Sequence, residues 1–476
     1  MNLIQPFLAL SLAAWACVGR SAPPPNIILV LADDLGAADL SCYGQRAFRT
    51  PNLDLMAAEG MRFTQAYSGC SVCAPARSTL MTGRHMGQTS VRSNTGGVPL
   101  LDGDVTLAEV LKAAGYATGG FGKWGLGDLE TEGVPERQGF DRFFGYYHQI
   151  HAHSYYPDYL IDTGQKVPLP GNRDFARNHP GPGGVPELNQ GQPAQFAHTL
   201  IKQAMFEWIR ANRDKPFFCY APWTLPHAKF QMPESHPAWQ AVRDRPWSEA
   251  AKGHAALTLL LDRDLGELLD LLRELRMDGR TVVFFCSDNG PDDRYAGQLD
   301  SAGSLRGAKG SLYEGGIRVP LLVRWPGVIP PAQTCAFPVY FPDLLPTLAE
   351  LAGVGSGLPV PLDGVSFVPM LRDRPALQLR HDAFYWELTP VNWERGGALE
   401  PEGTAQAARL GRWKGIRPRL DAAIELYDLS ADPGETNNVA DHFPDVVKEV
   451  ARVFVGFRTE PRPQPEPERP EGRKFR

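Results

Sequence analysis

The chain is poor in cysteine, with seven in 476 residues. Cys17 lies in an N-terminal apolar run and Cys73 in a motif of its own. The remaining Cys42, Cys70, Cys219, Cys286 and Cys335 are odd in number and lack zinc-finger spacing, which excludes a disulfide framework. A Cys42–Cys70 pairing stays open, and Cys219 and Cys286 sit in apolar runs as small core residues. A cationic excess is also missing. The 48 Lys+Arg against 54 Asp+Glu leave a formal net charge of −6. That argues against a general nucleic-acid partner and leaves any anionic substrate to local cations. No Asn-x-Ser/Thr acceptor for an N-linked glycan occurs. No apolar run is long enough to span a bilayer. The stretch Phe7 to Ala16 is instead the length of a signal-peptide core, so residues 1–22 read as a signal peptide. Cleavage fits at Ala14-Trp15-Ala16 or at Cys17-Val18-Gly19. Export to a periplasmic or extracellular space is expected. Trp15 makes a poor lipobox, which disfavours lipid anchoring at Cys17.

What is present is ordinary globular material, 43% hydrophobic and 21% charged, enough to build a large core. The length suits two domains better than one. Asn26 to Ala32 is a continuous apolar strand that ends at Asp33-Asp34. Pro216 to Ala221 is another, and Thr281 to Cys286 a third that ends at Ser287-Asp288-Asn289-Gly290. Thr106 to Ala114 carries Leu107, Val110, Leu111 and Ala114 on one helical face. Leu257, Leu261, Leu265, Leu268, Leu272 and Leu275 step along a longer helix. Strands alternating with helices predict an α/β fold with a large, mostly parallel central sheet flanked by helices. Ligand groups in such sheets gather at the strands' carboxyl ends, where both acidic pairs fall.

The stretch from Asp162 to Gln195 has no period and reads as a long loop that lines or covers the site. After Arg380 the texture changes. His381 to Leu388, Trp413 to Arg417 and Glu425 to Leu429 read as short strands, and Val446 to Phe457 as a helix. The expected organisation is a catalytic domain over 23–379, a smaller α+β domain with an antiparallel sheet over 380–459, and an extended Pro- and charge-rich tail over 460–476.

Asp33, Asp34, Asp288 and Asn289 together offer hard oxygen donors, the set that suits Ca²⁺ or Mg²⁺, with Ca²⁺ favoured for its tolerance of many ligands. Cys73 stands two residues before Pro75. Because Pro is favoured in the first turn, Cys73 is placed at or just before a helix N-terminus, where free N–H groups favour an anion. Arg77 follows one turn later and could turn its fork toward Cys73 or toward a bound anion.

The string Cys73-Ala74-Pro75-Ala76-Arg77-Ser78-Thr79-Leu80-Met81-Thr82-Gly83-Arg84 resembles the signature of the type I sulfatases, which are alkaline-phosphatase-like enzymes. By that resemblance a separate formylglycine-generating enzyme oxidises Cys73 to formylglycine, whose hydrate is the nucleophile. The resemblance also makes Asp33, Asp34, Asp288 and Asn289 the metal ligands, joined by the modified Cys73. Gly122-Lys123-Trp124-Gly125-Leu126-Gly127 matches the family's Gly-Lys-Trp-His-Leu-Gly except at Gly125. Lys123 then contacts sulfate, while the histidine that orients the nucleophile is missing. His148, His151 and His153 are candidate substitutes, His153 first, because similar Ala-His-x-Tyr-Tyr-Pro strings occur in relatives that share the glycine. Pro226-His227 resembles the family's Pro-His element and implies that His227 contacts sulfate and protonates the leaving oxygen. Within Leu305 to Pro320, Lys309 is the second sulfate-binding lysine, with Glu314 and Arg318 holding the loop. The family pattern runs from Asn26 to Val439.

The implied activity is hydrolysis of a sulfate ester, on a sulfated small molecule or glycan. One rival is a phosphomonoester or phosphonate hydrolase of the same superfamily. A second is a non-catalytic protein that binds sulfated glycans. Tyr155, Tyr156, Trp386 and Trp393 are open between a sugar subsite and plain packing.

Overall fold

The computed structural model describes residues 24–461 apart from 296, 356–357, 359–360 and 393–397. The expected signal segment, Cys17, Trp393 and residues 462–476 of the tail lie outside the described residues. The elements that place the site are few. Strands β1 (Asn26–Ala32), β2 (Met61–Tyr67), β3 (Ala117–Lys123), β4 (Arg142–Tyr146), β5 (Tyr159–Asp162), β6 (Gln165–Pro168), β7 (Phe217–Pro222), β8 (Thr281–Ser287), β9 (Arg318–Arg324) and β10 (Gln333–Cys335) share one sheet. Its order is β10-β2-β9-β8-β1-β7-β3-β4-β5-β6. The centre, β8-β1-β7-β3-β4, is parallel throughout. The edges add antiparallel pairs at β8–β9, β9–β2, β4–β5 and β5–β6.

Alternation within β1 explains why the sheet lies inside. Ile28 and Val30 point into one apolar layer, and Ile27, Leu29 and Leu31 into the opposite one. The first layer is covered by α4 (Ala197–Ala211) and the long α5 (Glu249–Glu274). The second is covered by α2 (Cys73–Thr82), α3 (Leu107–Ala113) and α6 (Leu344–Leu351), while a short α1 (Pro51–Ala58) packs on α5. A strand buried on both faces must be apolar along its whole length, which is what the run Asn26 to Ala32 looked like. Ser248 caps α5 by accepting from the Ala251 N–H, and Thr106 caps α3 from Glu109.

Beyond the main sheet, β11 (Phe384–Leu388), β12 (Ala405–Leu410), β13 (Trp413–Arg417) and β14 (Glu425–Asp428) form a four-stranded antiparallel sheet backed by α7 (Pro444–Gly456). Tyr67, Leu312 and Ile317 join its apolar cluster with Trp386, Ile416 and Tyr427.

One expectation needs correction, and one open question is answered. The stretch from Asp162 to Gln195 is not a plain loop. Tyr159–Asp162 and Gln165–Pro168 pair as a hairpin that extends the main sheet, and Gly183–Val185 pairs in parallel with Gln231–Pro233. These pieces are only three or four residues long, so they carry no apolar period to read. Cys42 and Cys70 are both free thiols. Cys70 turns inward to the Glu387 carbonyl at 3.6 Å, away from any partner sulfur.

Candidate active site

The parallel centre delivers four oxygen-bearing side chains to one point. Ala32 and Ser287 are paired in register, so the residues that leave β1 and β8 emerge side by side. Asp34, turned through φ 65°, donates its N–H to Asp288 Oδ1 at 3.1 Å, and Asn289 Nδ2 donates to Asp34 Oδ1 at 2.8 Å. All four residues are fully buried. Cys73 begins α2 after an extended Val72, and Asn94 Oδ1 caps the next N–H, at Ala74, at 3.1 Å. Cys73 Sγ lies 3.3 Å from Asp33 Oδ1 and 3.8 Å from Asp34 Oδ1. Donor atoms of Asp33, Asp34, Cys73 and His227 all fall within 4.8 Å of one another, a group that could hold a metal ion. Asn289 Oδ1 is buried nearby and meets no hydrogen-bond partner among the described residues. Hard oxygen donors and one orphaned carbonyl oxygen fit a divalent cation of the Ca²⁺ or Mg²⁺ kind.

Three cations close on these carboxylates. Lys123 ends β3, two strands from β1, and its Nζ is 2.7 Å from Asp33 Oδ2. Its position depends on Gly122, where φ is 141° and a Cβ would stand 2.0 Å from the Pro222 carbonyl oxygen. Lys309 Nζ is 2.7 Å from Asp34 Oδ2. Arg77 places Nε and Nη2 on Asp288 Oδ2 at 3.1 and 2.8 Å, with Nη2 also 3.4 Å from Asp33 Oδ2 and Nη1 on the Lys123 carbonyl. The sequence reading turned that fork toward nucleophile or sulfate. The structure commits it to the carboxylates, because in a site closed to water the nearest anions claim it.

Burial raises the carboxyl of Asp33, but Lys123, then His227 and Arg77, outweigh it and hold it well below the ordinary range. Asp288 goes the other way, pushed up to about 7 by burial and then by Asp33. Burial, then Asp288 and Asp33, push the Cys73 thiol well above its usual value.

His227 follows β7. Its Nδ1 bonds the Ala228 carbonyl, and its Nε2 faces Asp34 Oδ2 at 3.4 Å and Lys309 Nζ at 3.3 Å. Burial, then Lys309 and Lys123, hold its imidazole well below the usual range despite Asp33. His153 stacks on it with centroids 4.5 Å apart. Of the three candidate substitutes, His153 is therefore the one brought to the cluster. His148 turns its Nδ1 to the Ile150 N–H, and His151 packs between Tyr146 and Tyr159.

Tyr155 is not open to a sugar. It is 2% exposed, and its hydroxyl donates to the carbonyls of Thr224 at 2.8 Å and His227 at 2.9 Å, bracing the His227 turn. Tyr156 stacks on Phe175 at 3.9 Å, and Trp386 is wholly buried. Sequence reasoning missed the bracing role of Tyr155 and the cap from Asn94, since neither belongs to a motif.

The match to known families agrees with this geometry. Residues 25–354 match the family model "Sulfatase", and residues 308–455 match "N-sulphoglucosamine sulphohydrolase, C-terminal". The chain belongs to the sulfatase family. Among curated relatives, this sulfatase is 36% identical to human arylsulfatase A over 94% of its own chain and 89% of that protein. It is 30% identical to the N-acetylgalactosamine-6-O-sulfatase of Bacteroides thetaiotaomicron, over 93% of its own chain and 94% of that protein. Its fold is similar to the crystal structure of Ps i-CgsB in complex with k-i-k-neocarrahexaose, with a TM-score of 0.73, 25% identity and coverage of 91% and 92% of the two chains. The sulfatase is accordingly a sulfuric ester hydrolase with an α/β fold and a large, mostly parallel sheet. Among the described residues no helix is long and apolar enough to cross a membrane.

Proposed function

We propose that this sulfatase removes sulfate from a sulfated carbohydrate at the Cys73 cluster. In this reading Cys73 is converted to formylglycine by a formylglycine-generating enzyme during maturation. Asp33, Asp34, Asp288 and Asn289 hold a divalent cation, Ca²⁺ ahead of Mg²⁺, and the mature chain is exported. The observation that carries the reading is the meeting of Cys73 Sγ, the carboxylates of Asp33 and Asp34 and the heads of Lys123 and Lys309 around one buried point. The carbohydrate rests on the N-acetylgalactosamine-6-O-sulfatase relative and on the neocarrahexaose complex of Ps i-CgsB.

The chemistry follows from the groups present. A cation in the oxygen cage supplies charge that offsets the carboxylates and favours an ionised hydroxyl beside it. A hydrated aldehyde at position 73 would supply one hydroxyl to attack sulfur as the S–O bond to the alcohol breaks, and a second whose deprotonation would restore the aldehyde as the C–O bond to sulfate breaks. The unmodified thiol is a poor substitute, because burial and the adjacent carboxylates keep it protonated. Lys123 and Lys309 are the donors for sulfonyl oxygens, while Arg77 stays on Asp288 and Asp33 and fixes the cage. His227 aims Nε2 at Lys309, so the proton needed by the departing alcohol is held on this pair. His153 keeps the His227 ring in place by stacking.

The test is the mass of the proteolytic peptide containing Cys73, from protein made in its native host or with a formylglycine-generating enzyme. The expected peptide carries an aldehyde in place of the thiol. A thiol throughout, in folded protein, contradicts the mechanism.

A further inference from the structure

Gln149 is 1% exposed, yet neither its Oε1 nor its Nε2 meets a hydrogen-bond partner among the described residues. Other buried amides in this chain are used. Asn172 Nδ2 donates to the Pro157 and Gln195 carbonyls while its Oδ1 accepts from the Gln195 N–H, and Gln231 Nε2 donates to the His179 and Gly181 carbonyls. A buried amide with neither end satisfied is costly, and such groups are retained where a ligand completes them.

The position of Gln149 says which ligand. Gly125 has φ 78°, and a Cβ built there would stand 2.7 Å from Gln149 Oε1 and 3.9 Å from Arg77 Cδ. The carboxamide therefore fills the direction a side chain at position 125 would take, two residues beyond Lys123, at a point from which Arg77 Cδ is also within 4 Å. The backbone holds it there. The N–H groups of Trp124 and Gly125 donate to the carbonyls of Tyr146 at 2.8 Å and Tyr147 at 2.9 Å, which zips the loop after β4 onto this segment. Four residues further along the same loop, His153 stacks on His227. One loop thus flanks the cluster, with an uncharged donor on the Arg77 side and an imidazole on the other.

We infer that Gln149 is a sulfate-binding residue whose Nε2 donates to a sulfonyl oxygen from the position that the absent side chain at 125 leaves to the amide. This inference rests on the sulfatase reading. It also links Gly125 with Gln149, since a Cβ at 125 would require the amide to shift, besides straining a backbone at φ 78°.

Gln149→Leu and Gln149→Glu test it, with inorganic sulfate as the probe. Two readouts are needed: the sulfate concentration that half-raises the unfolding temperature, and the inhibition of aryl sulfate hydrolysis by sulfate. Gln149→Leu is expected to unfold at the wild-type temperature or above it when sulfate is absent, because an unpaired buried amide has been removed. It should need roughly tenfold more sulfate, the loss of about one hydrogen bond. Gln149→Glu should need more still, from charge repulsion. Sulfate affinity unchanged in both variants overturns the inference, as does a Leu variant that is destabilised with sulfate affinity intact. A wild-type protein that neither binds sulfate nor cleaves an aryl sulfate overturns the sulfatase reading itself, and this inference with it. The two failures are told apart by whether the variant or the wild type is at fault.

Discussion

Arg77 touches both carboxylates that sit at the extremes of the site's titration, Asp33 far below the ordinary range and Asp288 near neutrality. It is wholly buried, as they are. Removing its charge leaves Asp288 without a direct cation in a place water does not reach. Breaking one partner of a buried ion pair costs about 3–5 kcal/mol. Arg77→Met is therefore expected to lower the denaturant midpoint by a loss of that order, with hydrolysis falling as the cage loosens. Urea unfolding checks it, and an unchanged midpoint contradicts the role given to Arg77. At this scale the sequence was informative where residues belong to strings. Cys73, Lys123, His227, Lys309 and the two acidic pairs all come from contiguous motifs. The direction of the Arg77 fork was not legible, because it depends on Asp288 and Asp33, which only the folded sheet brings beside it. Tyr155 and Gln149 lay in an aromatic, histidine-rich loop where only the folded backbone separates the groups that face the site from those that pack.

The elements that carry these residues are held from outside the site as well. Helix α2 brings Cys73 to the cluster and ends at Gly83 in the left-handed conformation. Just beyond it, His85 stacks on Phe457 at 5.3 Å and meets Tyr385 edge-on at 5.5 Å, joining α2 to the C-terminal region. Burial, then Arg84 and Arg92, hold His85 down at about 4 in spite of Asp363. Between about 4 and its unfolded value near 6.5 the unfolded chain binds the extra proton, so stability rises with pH across that window and is level above it. The lost stability at pH 4.5 is on the order of 2 kcal/mol. Urea unfolding at pH 4.5 and pH 7 should show that difference in the wild type and a smaller one in His85→Gln. Equal differences in the two proteins contradict the assignment. The central strands β1, β7 and β8 were read from the sequence because burial on both faces leaves continuous apolar runs, and α3 and α5 because their apolar residues keep a helical period. The hairpin Tyr159–Pro168 was not, since its exposed positions are polar and its pairing is a matter of tertiary contact.

Across the whole molecule, the C-terminal sheet grips the segment that carries Lys309. Lys414 on β13 is wholly buried between Glu314 Oε1 at 2.9 Å and Glu435 Oε1 at 2.8 Å. Glu435 also accepts the Glu314 N–H at 2.6 Å, and Arg306 donates to the Tyr427 hydroxyl at 3.0 Å and the Glu435 carbonyl at 3.1 Å. Residues 306 and 314 are thus tied on either side of Lys309. Lys414→Met removes the cation between two buried carboxylates and should cost about 3–5 kcal/mol. Its distinguishing sign is a raised KM for an aryl sulfate, from a displaced Lys309, which a purely distant packing defect would not produce. Kinetics and unfolding on the same preparation decide it. The texture change after Arg380 announced this second sheet, but the ion cluster joining it to the site draws on three distant stretches and has no local signature. The account as a whole turns on Cys73 as the seat of sulfate ester hydrolysis. The most direct measurement is release of sulfate from an aryl sulfate by the wild type and by Cys73→Ala, each produced with a formylglycine-generating enzyme and supplied with Ca²⁺. The account predicts turnover in the wild type and none above background in a folded Cys73→Ala protein. Undiminished turnover in Cys73→Ala would contradict it.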